Sequence, residues 1–430
     1  MRANQPSQPH SAGPPNSHAA LDADQAASRL VSYGEPLRPM TGIYRTRNPA
    51  LVAFLRLSDY LGRLRPKRKT ELSPDRRIRI LIANWAHLGD VIVTLPLLKY
   101  LAGHPRVESV SLLVGSWSRG IASSLPFIKK VHYLDHFFLD RGADSKLRKL
   151  SRYFFDQMRI VREIRDCHYD ISVDLVSVFP ATHRLLWKAE IPTRIGFSCT
   201  GYGAYLTHRI GWSTADEHVL AKLLRLFEPL FGDQTPSMLQ AAYPDFIPSD
   251  LSGKRLPDDR NYVLMHMGSG DYRSWPTENW LELGRALQEQ GRHIVFTGSK
   301  GTEADMAERI AKQLGAKSVA GALSWNEFVT CVANAAALIS VDTVTGHLAA
   351  CFATPSLILL SGRWGLNFFR PNSEKAITIT YPVGCTPCYR SFGCETMACV
   401  RYITVADVLA KFNELQIRSN ADTDFVRNSI

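Results

Sequence analysis

A chain of 430 residues is long for a single hydrophobic core, so its length favours two globular domains. Its composition, with 45% hydrophobic and 21% charged residues, is that of a soluble globular protein. No window holds about 18 uncharged apolar residues and the N-terminus lacks a secretory leader, so the sequence predicts neither a membrane-spanning helix nor export. The cytoplasm is the expected location.

The formal net charge of +11 is concentrated in two segments. Residues 56–79 hold nine Lys or Arg against three acidic residues, and residues 141–165 hold eight against three. Local basic character of this kind is typical of a surface that meets a phosphorylated lipid layer or nucleic acid, and two solvated faces are the alternative. Nucleic acid is the weaker partner, because the basic runs lack the interleaved aromatic residues of a recognisable module.

The first 76 residues read as an extension. Residues 1 to about 47 are rich in Pro, Ser, Ala, Gln and Asn without a sustained period, which predicts disorder. Asn48 and Pro49 then signal a helix start, followed by apolar residues at helical spacing and a basic end at residues 65–69. A basic amphipathic helix can lie on an anionic membrane surface. Packing of this helix on the first domain is the alternative.

From residue 77 to residue 243, strands and helices alternate, which predicts a domain with a parallel sheet and right-handed crossovers. The strands are expected near 78–83, 107–114, 130–134, 169–176 and 193–197, and the helices near 90–101, 118–125, 145–167 and 181–190.

Residues 244–260 are rich in proline and read as a linker to a second domain at 261–415, followed by a flexible tail at 416–430. No sequence repeat relates the two halves. The second series of strands is expected at 262–267, 293–297, 318–320, 338–341, 356–360 and 377–381, with helices near 277–290, 302–314, 324–335 and 405–415.

Two polar turns carry the chemistry. In the first, which runs from Asn84 to Asp90, Gly89 permits a tight turn and a close approach to a ligand. The carboxylate of Asp90 can accept a proton from an attacking hydroxyl, and a helix cap is the alternative. His87 supplies a further donor or acceptor in the turn or simply packs there. In the second turn, Asp342–His347, a helix start with polar residues favours an anion.

Further features of the second half support a nucleotide diphosphate. The turn at 268–270 leaves backbone N–H groups free, and Arg273 can make paired hydrogen bonds to a phosphate. Trp364, Phe368 and Phe369 can stack on a base or sugar, although hydrophobic core is the alternative. The cysteines at Cys385, Cys388, Cys394 and Cys399 have the spacing of a structural zinc knuckle or belong to a loop without metal.

Four stretches together resemble glycosyltransferase family 9, the bacterial heptosyltransferases that extend the lipopolysaccharide core. Their order and spacing hold from about residue 77 to about residue 410. The stretches are Ile78–Leu98 with its Leu-Gly-Asp turn, Asp170–Phe197 with its Arg-Ile-Gly-Phe end, His266–Trp280 with its Trp-Pro pair, and Ile339–Ala350 with its Asp-Thr pair and His.

The resemblance implies an α/β protein of two facing Rossmann-like domains (GT-B type), with the acceptor in the first half and the nucleotide-sugar in the second. Such enzymes invert the anomeric centre and need no metal or other cofactor. Asp90 then matches the general base, Arg273 the phosphate-binding lysine, and Glu303 a ribose-binding acid. The donor loop is matched by Asp342, Thr343, Gly346 and His347.

The resemblance also implies the partners: a nucleotide-sugar, with ADP-heptose favoured, and a lipid-linked anionic glycan at the inner face of the inner membrane. Three departures stand against it. Val344 replaces a family glycine, Asn84 replaces a basic residue, and Arg273 replaces a lysine, which binds phosphate with a different geometry. A protein of envelope assembly that binds a nucleotide-sugar or acts as a scaffold without catalysis is therefore the alternative function.

Overall fold

The computed structural model describes residues 44–46, 48–64, 76–140, 142, 144–232, 243–244, 261–268, 274–390 and 393–428. Within these residues the chain forms two six-stranded parallel sheets, one in each half, with helices between the strands. The predicted α/β architecture is confirmed. The predicted disorder of the first 43 residues, the basic segment 65–69 and nearly all of the predicted linker lie outside the described residues.

The first sheet has the strand order β3-β2-β1-β4-β5-β6. Its central strands are almost entirely buried runs of Ile, Leu and Val, as expected where helices cover both faces of a parallel sheet. The strands are β1 Ile78–Ala83, β2 Val107–Val114, β3 Ile128–Tyr133, β4 Ile171–Asp174, β5 Thr193–Phe197 and β6 His208–Ile210. The helices are α1 Pro49–Arg63, α2 Leu88–Val93, α3 Leu95–Gly103, α4 Arg119–Ala122, α5 Lys146–Asp166, α6 His183–Lys188, α7 Val219–Leu224 and α8 Glu228–Phe231.

The second sheet has the order β12-β11-β10-β7-β8-β9, which is the order of the first sheet when its six strands are counted from β7. The strands are β7 Tyr262–His266, β8 His293–Thr297, β9 Lys317–Ser318, β10 Ala337–Val341, β11 Ser356–Leu359 and β12 Ala376–Ile379. The helices are α9 Thr277–Glu289, α10 Thr302–Leu314, α11 Trp325–Ala333, α12 Val344–Cys351, α13 Ala398–Arg401 and α14 Val405–Asn428.

Several elements differ from the sequence prediction, and the short helices α7, α8 and α13 were not predicted. The helix expected near 90–101 is two helices that meet at Thr94, because Pro96 has no N–H to donate and its ring crowds the preceding turn. Strand β6 was not predicted, since its three residues are partly or fully exposed and form no apolar run. The last helix continues past Leu415 to Asn428, within the segment predicted as a tail.

Helix α1 packs on the first domain. The side chain of Asn48 caps its first turn by accepting a hydrogen bond from the Leu51 N–H at 3.2 Å. Asp59 accepts a hydrogen bond from the Ala204 N–H at 2.9 Å, and a Cβ at Gly62 would lie 2.8 Å from the Cβ of Ala204. The glycine therefore permits close contact between the helix and this turn. No helix among the described residues has the length and apolar character needed to cross a membrane.

The two halves contact each other at several places. A Cβ on Gly120 would lie 2.5 Å from the Cδ1 of Trp325. The N–H of Val219 donates a 2.9 Å hydrogen bond to the carbonyl of Phe368. Helix α2 of the first half also packs on helix α12 of the second. The halves therefore face each other across the turns that open these two helices.

Candidate functional site

Both polar turns lie where α/β sheets bind ligands. In each sheet the strand order reverses beside the first strand, between β1 and β4 in the first half and between β7 and β10 in the second. The crevice at the carboxyl ends of such strands is the usual ligand site of an open parallel sheet. The turn at Asp90 follows β1 and the turn at Asp342 follows β10. The strand order therefore places both turns at such crevices.

The turn at Asp90 is held by its own hydrogen bonds. The His87 N–H donates to the carboxylate of Asp90 at 3.1 Å, so this side chain also caps helix α2. The Nδ2 of buried Asn84 donates to the Asp90 carbonyl at 3.1 Å. From the short 3-10 helix that follows β2, the indole N–H of Trp117 donates to the carbonyl of Ala86 at 2.9 Å. Asn84, a departure from the family pattern, thus positions the turn.

The environment of Asp90 makes its carboxylate a stronger base than an ordinary aspartate. Burial, together with the negative charge of Asp342, raises the pKa of Asp90 to about 6, although the backbone N–H groups of His87 and Asp90 act in the opposite direction. The effect of Asp342 places the two turns within electrostatic reach of each other. A base with a pKa near the operating pH is suited to proton transfer.

The second turn is a capped helix start. Thr343 is the N-cap of α12, and its hydroxyl accepts a hydrogen bond from the Thr345 N–H at 3.4 Å. The Gly268 turn after β7 comes close to the same place, since a Cβ there would lie 3.6 Å from the Cγ2 of Thr343. Gly268 also has a φ of +85°, which other residues rarely adopt. Backbone N–H groups at the start of α12 therefore lie beside a residue that has no side chain.

His347 joins the two turns. A Cβ on Gly89 would lie 3.3 Å from the Cδ2 of His347 and 3.9 Å from the Cα of Val344. His347 is buried, and its Nδ1 has no hydrogen-bond partner among the described residues. Burial, together with nearby His218, lowers the pKa of His347 to about 4, so the ring is neutral at pH 7. A neutral imidazole with an unpaired nitrogen offers a hydrogen bond to a ligand.

His266, at the end of β7, has the same properties and was not predicted from the sequence. It is buried, its Nδ1 has no hydrogen-bond partner among the described residues, and burial lowers its pKa to about 4. Its sequence signals are its position as the last residue of a buried strand and at the start of the family-like stretch His266–Trp280. Arg273, the predicted phosphate ligand, lies outside the described residues.

Two predicted donor residues have structural contacts of their own. Glu303 lies in the first turn of α10, where its carboxylate accepts a hydrogen bond from the Ser299 N–H at 2.7 Å and so fixes the loop after β8. A Cβ on Gly346 would lie 2.9 Å from Ile358 and 3.3 Å from Pro371. Close packing against β11 and the 371 region therefore accounts for this glycine.

The Trp-Pro pair and the aromatic cluster serve packing. Trp275 is buried and its indole N–H donates to the carbonyl of Ile403 at 2.8 Å. Phe368 is buried at the junction of the halves, with its ring 6.0 Å from Trp212 and 4.6 Å from Phe369. Phe368 therefore has the alternative role considered for this cluster, which is hydrophobic packing.

The zinc interpretation of the cysteines gains no support. All four cysteines line one pocket beside the loop after β11, and all are free thiols. Among the residues that the structure describes, no group of three or more His, Cys, Asp or Glu is arranged to hold a metal ion.

Arg45 makes a contact between the two halves that the sequence did not reveal. It precedes α1, yet its guanidinium is buried, donates to the carbonyl of Ser177 at 2.9 Å and lies 4.1 Å from the ring centre of Trp212. Trp364 of the second half is 5.8 Å away. Burial lowers the pKa of Arg45, but an arginine remains charged. A cation of the N-terminal extension therefore lies between an aromatic ring of each half.

Comparison with known proteins supports the family resemblance that the sequence shows. The model of glycosyltransferase family 9 (heptosyltransferase) matches residues 157–396, more than half of the chain. Lipopolysaccharide heptosyltransferase 1 of Salmonella typhimurium is 23% identical over 307 residues, which cover 66% of this chain and 88% of that protein.

Solved structures show the same fold. The E. coli ADP-heptose lps heptosyltransferase II aligns with a TM-score of 0.60 at 18% identity and covers 80% of this chain and 100% of its own. An E. coli heptosyltransferase with ADP-2-deoxy-2-fluoro heptose aligns with a TM-score of 0.56 at 18% identity, covering 78% of this chain and 99% of its own. The family match includes the second polar turn but begins after Asp90, whose assignment therefore depends on its position in the fold.

Proposed function

The chain belongs to glycosyltransferase family 9, and from this membership we propose that it moves a heptose or a related sugar from a nucleotide diphosphate to a lipopolysaccharide-core or similar envelope glycan. The observation that carries the proposal is the contact of Gly89 with His347, supported by the effect of Asp342 on the pKa of Asp90. A candidate base on one half thereby meets a candidate anion site on the other.

The reaction is a displacement at the anomeric carbon. An acceptor hydroxyl attacks this carbon, its oxygen forms the new glycosidic bond, and its proton passes to the carboxylate of Asp90. The bond from the anomeric carbon to the diphosphate breaks, and the electron pair leaves with the nucleoside diphosphate. Attack from the face opposite the leaving group inverts the configuration. The raised pKa of Asp90 helps it to hold the proton.

The leaving diphosphate gains negative charge as the bond breaks. Backbone N–H groups at the start of the eight-residue helix α12 and the positive end of its dipole stabilise such charge. Thr343 and the neutral His347 supply further hydrogen bonds, and we place Arg273 at the phosphates as well. The relative solved with ADP-2-deoxy-2-fluoro heptose favours ADP-heptose as the donor.

The acceptor is assigned to the first half, beside Asp90. A lipid-linked glycan with phosphate groups suits the basic segments of this half. Work on such an acceptor would place the enzyme at the inner face of the inner membrane.

The test begins with calorimetric titration of the full chain with ADP, GDP, UDP and their sugar conjugates, followed by transfer assays with the conjugate that binds. We expect binding of one diphosphate and transfer of its sugar to a lipopolysaccharide-core acceptor. Binding of a nucleotide-sugar without transfer to any acceptor of this class would favour the non-catalytic scaffold. Absence of binding to every nucleotide would contradict the donor site itself.

A further inference from the structure

Helix α1 has two stripes of side chains, and one of them leaves large apolar groups in solvent. Leu55 and Gly62 face the turn that follows β5 and are buried. Phe54, Leu57 and Leu61 lie three and four residues apart on another side and are 50%, 58% and 48% exposed. A single exposed leucine is ordinary, but a stripe of three large apolar groups on one helix indicates an interaction surface.

Helix α5 presents a second group of the same kind. Leu147, Phe154 and Phe155 are 79%, 57% and 70% exposed. The ring of Phe154 lies 5.8 Å from that of Tyr153, which is buried against the loop after β3. The exposed rings thus stand on a rigid base.

Aromatic contacts connect the two helices into one surface. The ring of Phe54 lies 6.4 Å from Tyr202, Tyr202 lies 6.5 Å from Phe179, and Phe179 lies 6.4 Å from the exposed Phe138. Phe179 also lies 6.5 Å from His136, whose ring is 4.6 Å from that of Tyr153 on α5. Tyr202, Phe179 and Phe138 follow β5, β4 and β3, so they mark the carboxyl edge of the first sheet, the edge that carries Asp90. We call the exposed members of this surface the apolar rim: Phe54, Leu57, Leu61, Phe138, Phe154 and Phe155.

Unpaired positive charges accompany the rim. Arg56 and Arg63 on α1, and Lys146 and Arg162 on α5, are exposed. Among the described residues, none of the four has an ion-pair partner. Long basic side chains beside exposed aromatic groups match the boundary between acyl chains and anionic head groups, where the apolar parts insert and the cations reach phosphate.

We propose that the apolar rim docks the protein on the surface of an anionic lipid bilayer. Large side chains from two helices and a loop insert at the level of the head groups, and the four cations bind lipid phosphates. The carboxyl edge of the first sheet then faces the membrane. That this orientation presents a lipid-linked acceptor to Asp90 rests on the proposed function, whereas the docking itself does not.

The test is co-sedimentation of the full chain with vesicles of phosphatidylcholine, with and without phosphatidylglycerol. We expect binding that needs the anionic lipid and weakens as salt is raised. Replacement of the α1 stripe, with Phe54→Ser, Leu57→Ser and Leu61→Ser together, should weaken partitioning by about tenfold or more. The control is Ile417→Ser, an exposed apolar position on α14 that lies outside the apolar rim, which should bind as the unaltered chain does.

The variant and control must show equal circular dichroism and melting temperature. If the triple variant is unstable, Phe154→Ser with Phe155→Ser on α5 provides the same test. Equal vesicle binding by the unaltered chain and the rim variants would overturn the proposal, as would a dimer that depends on the rim in the absence of vesicle binding. Transfer to a delipidated acceptor should be unaffected in the rim variants, so a failure of the docking is distinguishable from a failure of the transferase.

Discussion

Both polar turns flank the reversal point of a sheet with one common strand order, yet their polar groups are held in opposite ways. In the first half, the polar groups form hydrogen bonds within the protein: Asp90 accepts from the His87 N–H, and Asn84 donates to the Asp90 carbonyl. In the second half, the Nδ1 atoms of the buried His266 and His347 have no hydrogen-bond partner among the described residues. One topology thus supplies a positioned carboxylate on one side and unsatisfied neutral groups on the other.

The contrast shows how the same fold can support proton transfer in one half and ligand binding in the other. A carboxylate that must take a proton benefits from fixed geometry and from a raised pKa, which burial and the charge of Asp342 provide. A site that must bind a ligand benefits from buried polar atoms that lack a partner, because the ligand then removes the cost of leaving them unpaired. The first turn is therefore assigned to chemistry and the second to binding.

The largest expected effect comes from removing the base. Asp90→Asn keeps the shape of the turn and should lower turnover by about 10²–10⁴-fold, while the dissociation constant for the donor changes little. Stopped transfer assays and calorimetry on the same preparation measure the two quantities. Asp166→Asn, an exposed position at the end of α5, should leave both unchanged. A variant at Asp90 with normal turnover would remove the distinction between the turns.

The next effect tests the binding turn. His347→Ala removes a buried hydrogen-bonding group and should weaken binding of the nucleoside diphosphate by roughly tenfold, as measured by calorimetry. The loss of turnover at saturating donor should be much smaller than that of Asp90→Asn. His208→Ala, on the exposed edge strand of the first half, is the matched control. Unchanged donor affinity in His347→Ala would contradict the assignment.

The pH dependence of kcat/KM tests the comparison further, because it measures the electrostatic effect of the second turn on the first. Asp90 acts as a base only when unprotonated, so kcat/KM should be constant above its pKa of about 6 and fall as the pH drops through that value. Asp342→Asn removes a negative charge that raises this pKa, so the fall should move to lower pH. An unmoved profile in this variant would show that the turns do not interact.

The smallest effect concerns the contact that spans the halves. Arg45→Met removes a hydrogen bond to Ser177 and a cation above Trp212, and should lower the free energy of unfolding by about 1–2 kcal/mol. Arg45→Lys should restore only part of it, because an ammonium lacks the planar geometry of the guanidinium. Urea unfolding measures both. Arg56→Met, exposed on α1, should be neutral, and an equal loss there would contradict the role given to Arg45.

Much of the fold could be read from the sequence, because the apolar residues of β1, β2, β5 and β8 mark these strands with the bounds observed. Strand β6 was missed because three partly exposed residues carry no such signal. Within the site, the sequence identified the turn at Asp90 but took Gly89 as a place for a ligand, whereas its nearest neighbour is His347. That contact joins residues of different halves, so it cannot be predicted from local sequence patterns.

Arg45 shows the same limit. Its neighbours in the chain are polar and without period, and its burial depends on Trp212 and Trp364, which are distant in sequence. Asn84, in contrast, was recognised as a departure from the family pattern, and the structure gives it a positioning role through its bond to the Asp90 carbonyl. The assigned roles of Asp90, Arg273, Glu303 and Asp342 stay predictions until the variants are measured.

The absence of a side chain at Gly89 has a consequence for how closely the two halves approach each other. The first atom of any side chain there would meet the imidazole of His347 at 3.3 Å, closer than most such contacts. Gly89→Ala would therefore press on the contact between helices α2 and α12 and move them apart by a few tenths of an ångström. One methyl group would thus move the proposed base away from the proposed anion site, without altering a single reacting atom.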